Sequence, residues 1–218
     1  MSIPHEQLKQ RQRRERDTHP EGLALRVHRA LSWLDRAGRC DDDDGRFVFL
    51  WIAFNSAYSA ETGEQRPPEG EVYRDFLRRL DELDGDKRLS QLVWEQFSGP
   101  IRVLLDNHYI YQPFWNHHNA IPGYEQWQNH FDKARQTARR ALANHDTVTV
   151  LGIAFSRLYT LRNQIVHGGA TWASQVNRDQ LRDAVRILEA VVPAIIEIML
   201  DHPDADWGEA CYPVVNPR

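Results

Sequence analysis

Asp146-Thr-Val-Thr-Val-Leu-Gly-Ile-Ala-Phe-Ser-Arg-Leu-Tyr-Thr-Leu-Arg-Asn-Gln-Ile-Val-His-Gly-Gly169 carries Leu151, Phe155, Leu158 and Ile165 on one arc at helical spacing. The pair Gly168-Gly169 supplies the residue type that stops helices in the left-handed conformation. A mostly apolar helix is therefore expected over 146–168. Val148-Thr-Val150 is a locally strand-like spot, but its continuation is helical. No alternating pattern of useful length and no internal repeat occurs elsewhere, so the chain reads as all-α.

Working outward, residues 124–144 form a basic amphipathic helix with Lys133, Arg135, Arg139 and Arg140. The aromatic, proline-interrupted run 109–123 reads as an ordered, packed connection. On the other side, Asn177-Arg-Asp-Gln180 resembles a capping box. It opens a long helix with apolar positions at 181, 185, 188, 192, 195 and 199, which Pro193 should kink or split. Residues 46–62 are strongly apolar and should form a central helix. Further helices are expected over 19–37, 71–84, 86–97 and 101–108, with a loop from Glu61 to Gly70 and a break at Gly99-Pro100. Thr18 to Glu21 has capping-box spacing for the first of these.

These segments amount to a bundle of about seven or eight helices in a single domain over 19–202. It is preceded by a basic polar arm, 1–18, with Lys9, Arg11, Arg13, Arg14 and Arg16, and followed by an irregular tail, 203–218.

A chain of 218 residues with 41% hydrophobic and 27% charged side chains can build its own core and is not of disordered composition. The net charge of −4 excludes wholesale coating of a polyanion, so any nucleic-acid contact must be a local patch. Two distant cysteines, Cys40 and Cys211, suit a reducing compartment. Val191 to Leu200, the most apolar stretch, is too short to span a bilayer. With no secretory pattern at the start, a cytoplasmic protein without membrane contact is expected.

Metal and nucleotide signatures are missing. Aligning Gly45 with the sixth position of a calcium loop puts Cys40 first and Trp51 twelfth, where a carboxylate is required. The Asp41–Asp44 run is better read as a solvated turn whose last Asp caps the next helix. His108, His117, His118 and His130 stand at no ligand spacing on a helix face, so no metal is expected. Neither a phosphate-binding Gly-rich loop nor a nucleophile elbow is present, and no cofactor is implied.

What remains is Arg162-Asn163-Gln-Ile-Val-His167. Arg-x4-His also occurs at Arg14 to His19 and Arg140 to His145, but only the third copy ends a mainly apolar helix. At ~100° per residue, Asn163 and His167 lie ~40° apart, whereas Arg162 lies ~140° from His167. One helix does not hold Arg162 and His167 side by side. Two copies about a two-fold axis can bring both pairs around a shared cleft. His167 sits at the negative end of the helix dipole, while a nearby guanidinium opposes protonation, which suits a proton-transfer group.

Arg162-Asn163-x-x-x-His167 near the end of a helix in an all-α chain resembles the motif of HEPN (higher eukaryotes and prokaryotes nucleotide-binding) domains. The following Gly-Gly and the helix Phe49-Leu-Trp-Ile-Ala-Phe-Asn-Ser-Ala-Tyr58 are similar to a prokaryotic branch of HEPN-like proteins. The resemblance implies a helical bundle, commonly dimeric, and in many members metal-independent RNA cleavage in toxin, antiphage or RNA-processing roles. By that resemblance Arg162 stabilises the pentavalent phosphate and His167 moves the proton of the 2′-hydroxyl or leaving oxygen. Asn163 orients one of them, and the product carries a 2′,3′-cyclic phosphate. An antitoxin or operon partner belongs to the same expectation. Gly169 stands where nucleotidyltransferase-partnered members carry a tyrosine, which disfavours silencing by AMPylation there.

The supporting candidates are Asn55, expected to be buried and hydrogen-bonded between Trp51 and Tyr58, and Tyr58 itself, expected to pack. Lys133, Arg135, Arg139 and Arg140 either track an RNA backbone or form a solvated face. Two further readings stay open: a catalytically inactive nucleotide- or protein-binding module of the same fold, and a subunit that scaffolds another protein.

Overall fold

The computed structural model describes residues 4–59 and 69–212. Every regular element among them is helical: α1 (His5–Glu15), α2 (Glu21–Gly38), α3 (Asp43–Tyr58), α4 (Glu69–Leu83), α5 (Arg88–Gln91), α6 (Ser98–Asp106), α7 (Gln112–His118), α8 (Trp127–Ala143), α9 (Thr147–Val166) and α10 (Arg178–Asp201). No strand occurs among the described residues, as expected of an all-α chain. Ten α-helices exceed the expected seven or eight. The two extra are α1 and α7, in stretches whose patterning predicts an arm and a connection. The expected loop Glu61–Gly70, the last residues of the 46–62 helix and the end of the tail fall wholly or mainly outside the described residues.

The chain falls into two compact units. The first takes residues 1–85 and 188–218, the second residues 86–187.

In the first unit, α2 and α3 supply the apolar centre. Leu23, Val27, Ala30 and Leu31 recur at helical spacing on α2, and Phe47, Leu50, Trp51 and Phe54 on α3; all are buried. At about 1.5–3 kcal/mol per large side chain, this burial outweighs the weak helix preference of the aromatic and β-branched residues of α3. The N-cap of α3 is Asp42, whose Oδ1 accepts from the Gly45 N–H at 2.8 Å. The sequence favours Asp44 for this role. Asp43 and Asp44 instead occupy the first turn, where their charge complements the dipole. Asp42→Ala should lower stability by about 1 kcal/mol, read as a shifted urea midpoint.

One N-terminal expectation is corrected. The Thr18 hydroxyl donates back to the Glu15 carbonyl at 2.7 Å, closing a 3₁₀ turn, so α2 begins after Pro20 without a side-chain cap. The basic arm, whose composition predicts a frayed or weakly helical segment, is a helix over 5–15 that buries Leu8 and Gln12. Arg11 donates to Asp201 at 2.7 Å and to Glu15 at 2.9 Å. Leu8 and the contact to the end of α10 anchor a segment of 11 residues, too short to hold a helix by itself.

Of the two outcomes expected at Pro193, a kink or a split, the split does not occur: α10 runs through it. Proline removes one backbone hydrogen bond, but Val191, Val192, Ile195 and Ile196 around it are buried and hold the helix together. After α10 the chain carries no further helix to residue 212. It is held by Arg26, which is 1% exposed. Arg26 donates to the carbonyls of Ala57 at 2.9 Å, Glu209 at 2.8 Å and Gly208 at 3.3 Å. Burial pushes this guanidinium below the usual arginine range.

In the second unit, α9 is the central rod, burying Val150, Leu151, Ala154, Phe155, Leu158 and Leu161. Asp146 caps it, its Oδ1 accepting from the Thr149 N–H at 3.0 Å. The expected helix 86–97 resolves into α5 and a π turn over Leu92–Gln96. Gly99-Pro100 does not break the chain but opens α6, since proline is tolerated in a first turn. Arg162 falls within the apolar arc of Leu151, Phe155, Leu158 and Ile165, yet the arginine that α9 buries is Arg157, with its guanidinium 4.3 Å from the Tyr111 ring centre and 5.5 Å from that of Phe131.

Candidate functional site

Arg162 and Asn163 occupy the last full turn of α9, and His167 is its C-cap. The end is built as the glycine pair predicts. Gly168 takes φ +72°, and its N–H donates to the Ile165 carbonyl at 3.1 Å. A Cβ on Gly169 would lie 3.0 Å from the Gln164 carbonyl oxygen, a backbone atom that cannot swing aside. Glycine at 169 is therefore needed to let the chain turn back tightly over α9.

Asn163 is the hub of the motif. Its Oδ1 accepts from Arg162 Nη1 at 2.9 Å, and its backbone carbonyl accepts from the His167 N–H at 3.0 Å. Arg162 is half-buried, with its guanidinium 5.6 Å from the Tyr159 ring centre. His167 is exposed. Asn163 thus fixes the guanidinium through its side chain and the histidine backbone through its main chain. The next residue, Gln164, donates to the Tyr109 carbonyl at 2.6 Å and accepts from Asn177 Nδ2 at 3.1 Å. These bonds tie the motif turn to the segment before α7 and to the start of α10. Asn177 takes φ +57°. Exposed apolar side chains, Val166, Trp172 and Val176, accompany the motif in sequence.

Asn55 and Tyr58 belong to the first unit, the motif to the second. Tyr58 packs as expected, with its ring 4.5 Å from Phe54 and 6.2 Å from Phe76. Asn55 departs from expectation: it is only half-buried, and its enclosed Oδ1 has no hydrogen-bond partner among the described residues. Trp51 and Tyr58, its neighbours along α3, are occupied with Phe54.

The four cations of α8 do not form one face. At ~100° per residue, Arg135 and Arg139 lie ~40° apart, whereas Lys133 and Arg140 lie ~20° apart and ~140–160° from Arg135. Arg135 donates to Asp106 at 2.6 Å, and this bond holds its pKa above the ordinary arginine value. Arg139, Arg140 and Lys133 are exposed. Missing from the sequence reading are Tyr109 and Gln164, which hold the motif turn, and Arg102, which faces Arg139 from α6. Gln164 lies inside the motif and was discoverable there. Arg102 and Tyr109 are brought near only by folding.

Among the described residues, no three His, Cys, Asp or Glu side chains cluster as metal ligands, and no helix is long and apolar enough to cross a membrane. No protein-family model, no curated protein and no solved structure matches the chain.

Proposed function

We propose that the chain is an HEPN-like, metal-independent endoribonuclease acting as a homodimer, with Arg162, Asn163 and His167 as its catalytic set. The observation that carries this reading is the presence, at one helix end, of an arginine held by Asn163 Oδ1 and an exposed histidine at the C-cap. RNA cleavage by 2′-hydroxyl attack needs a proton acceptor for that hydroxyl and positive charge on the phosphorane. His167 takes the first role and Arg162 the second. The 2′-hydroxyl gives its proton to His167 and its oxygen bonds to phosphorus, the phosphorus–5′-oxygen bond breaks, the departing 5′-oxygen takes a proton from the imidazolium so formed, and the strand ends in a 2′,3′-cyclic phosphate. Arg162 and His167 diverge on a single helix, so a second copy completes the cleft. The exposed Val166, Trp172 and Val176 supply apolar surface for that association. The setting is the cytoplasm, and the biological role is toxin-like or defensive.

The test is incubation of labelled single-stranded RNA with the purified protein in EDTA. Cyclic-phosphate ends should appear. Mixing Arg162→Ala with His167→Ala copies should restore part of the activity, because the mixed dimer keeps one intact arginine and one intact histidine in a shared cleft. Absence of cleavage across varied RNAs would remove the nuclease reading. A non-cleaving binding module is the second reading. It is favoured by the internal engagement of Arg162 with Asn163 and Tyr159, which leaves the guanidinium partly occupied.

A further inference from the structure

Within the second unit, α6 and α8 enclose a groove of about 370 Å³. Its floor is apolar, with Leu105, Ala138 and Leu142, and its rim carries Arg102, Arg135, Arg139 and Asp106. The volume is within the range of small-ligand sites. The charges at the rim are unequal in their freedom. Asp106 is engaged by Arg135 at 2.6 Å, and Arg135 reaches Asp132 at 3.7 Å. Arg102 and Arg139 are exposed and hold no ion pair or hydrogen bond with another described residue. Three guanidinium groups against Asp106 and the nearby Asp132 leave the rim positive, with the excess at Arg102 and Arg139.

A second hollow of about 530 Å³ shares Arg102 and Asp106 and continues past Tyr109. Tyr109 is 51% exposed. Its carbonyl accepts from Gln164 and from Trp115 Nε1 at 2.8 Å, and His108 packs against its ring at 4.0 Å. The residue is held while part of its surface stays open. The bond from Gln164 ties Tyr109 to the last turn of α9, the turn that carries Arg162-Asn163.

Free cations along an apolar floor, followed by a fixed and accessible aromatic ring, match a single strand of nucleic acid. Phosphates take the guanidinium groups, and a base takes the ring. We infer that the α6–α8 groove is the docking track of single-stranded RNA, with Arg102 and Arg139 on its phosphates and Tyr109 against a base. The inference deepens the nuclease reading and rests on it for the identity of the strand. Arg102 and Tyr109 are positioning residues on this track, not catalytic ones.

The probe is a labelled, fully 2′-O-methylated oligouridine, which cannot be cut, titrated against the full chain by fluorescence anisotropy at several salt concentrations. The Arg102→Ala/Arg139→Ala double variant should bind at least about tenfold more weakly, and its salt slope should fall by about 1.4 for two lost phosphate contacts. Tyr109→Leu should weaken binding by about tenfold through lost stacking. Asp106→Asn should tighten it several-fold, since Arg135 is then released to the strand; damage to the fold would instead loosen it. Arg79→Ala, an exposed cation on α4, controls for net charge and should leave binding unchanged.

No binding by the parent, equal binding by the double variant, or weaker binding by Asp106→Asn each overturns the track. Displacement by uridine monophosphate at concentrations where the strand itself binds would mark a small-ligand site and also overturn it. Cleavage separates the two readings. RNA that is cut with KM unchanged in the double variant removes the track and keeps the nuclease. The expected binding pattern without any cutting keeps the track and removes the nuclease.

Discussion

On the proposed mechanism, His167→Ala should lower the rate of RNA cleavage by about 10²–10⁴-fold, the span lost when a positioned proton-transfer group is removed. The loss should appear in single-turnover rates in EDTA, with RNA binding nearly unchanged, because His167 lies at the exposed C-cap of α9 and supports no core contact. Arg162→Ala should cost a comparable ~10²–10³-fold, and Arg162→Lys should recover little of it. Lysine brings the charge but not the planar fork that donates to Asn163 Oδ1 at 2.9 Å while leaving other N–H groups for a phosphate. Asn163→Asp keeps the acceptor and should damage activity less than Asn163→Ala. Residues acting as one unit are not additive, so the Arg162→Ala/His167→Ala double variant should be scarcely worse than the poorer single one. Parent-like cutting by His167→Ala and Arg162→Ala alike would place the chemistry elsewhere.

Arg26→Met should destabilise the protein by about 3 kcal/mol, the largest single effect expected on stability outside the apolar core. Methionine fills a similar volume but leaves the carbonyls of Ala57, Gly208 and Glu209 without their donor. Ala57 is buried, so water cannot replace that bond. Arg26→Lys should recover at most a third of the loss, because one ammonium does not span three separated carbonyls. The check is the urea midpoint, together with limited proteolysis. Residues 208–212 should become more readily cleavable in the variant, since Arg26 holds the Gly208 and Glu209 carbonyls, while Arg29 and the buried Trp207 still hold the segment at its two ends. A loss below about 1 kcal/mol, the size expected for the Asp42 cap, would mean that these carbonyls find other partners.

Much of the helical content was readable because burial leaves a periodic trace. Leu151, Phe155 and Leu158 announce α9, and the glycine pair announces where it stops. What sequence could not give was the choice among chemically equal neighbours and the effect of distant partners. Four consecutive aspartates offer four caps, and only the path into α3 selects Asp42. Thr18 has a hydroxyl suited to cap forward or to bond backward, and the turn after α1 takes it backward. α1 looks like a solvated leader because Asp201, which its Arg11 meets, is 190 residues away. Arg26 is one arginine in a helix stripe until the carbonyls that surround it arrive from the far end of the chain. In the candidate site, the composition of the motif was legible. The Asn163 hub was only partly so, since a helix wheel shows Asn163 near His167 but not its bond to Arg162. The split of the α8 cations follows from 100° arithmetic alone, whereas the partnership of Arg102 with Arg139 required α6 and α8 to be packed.

The first unit is discontinuous: its last helical segment begins only at Leu188, after the whole of the second. During translation, the residues of the second unit are therefore all made before the first can close. Until Asp201 and Glu209 are synthesised, Arg11 lacks its distant carboxylate and Arg26 lacks two of its three carbonyls. Nascent α2 and α3 must meanwhile wait with an apolar flank uncovered, which makes the newly born amino-terminal half a natural client for chaperones at the ribosome exit.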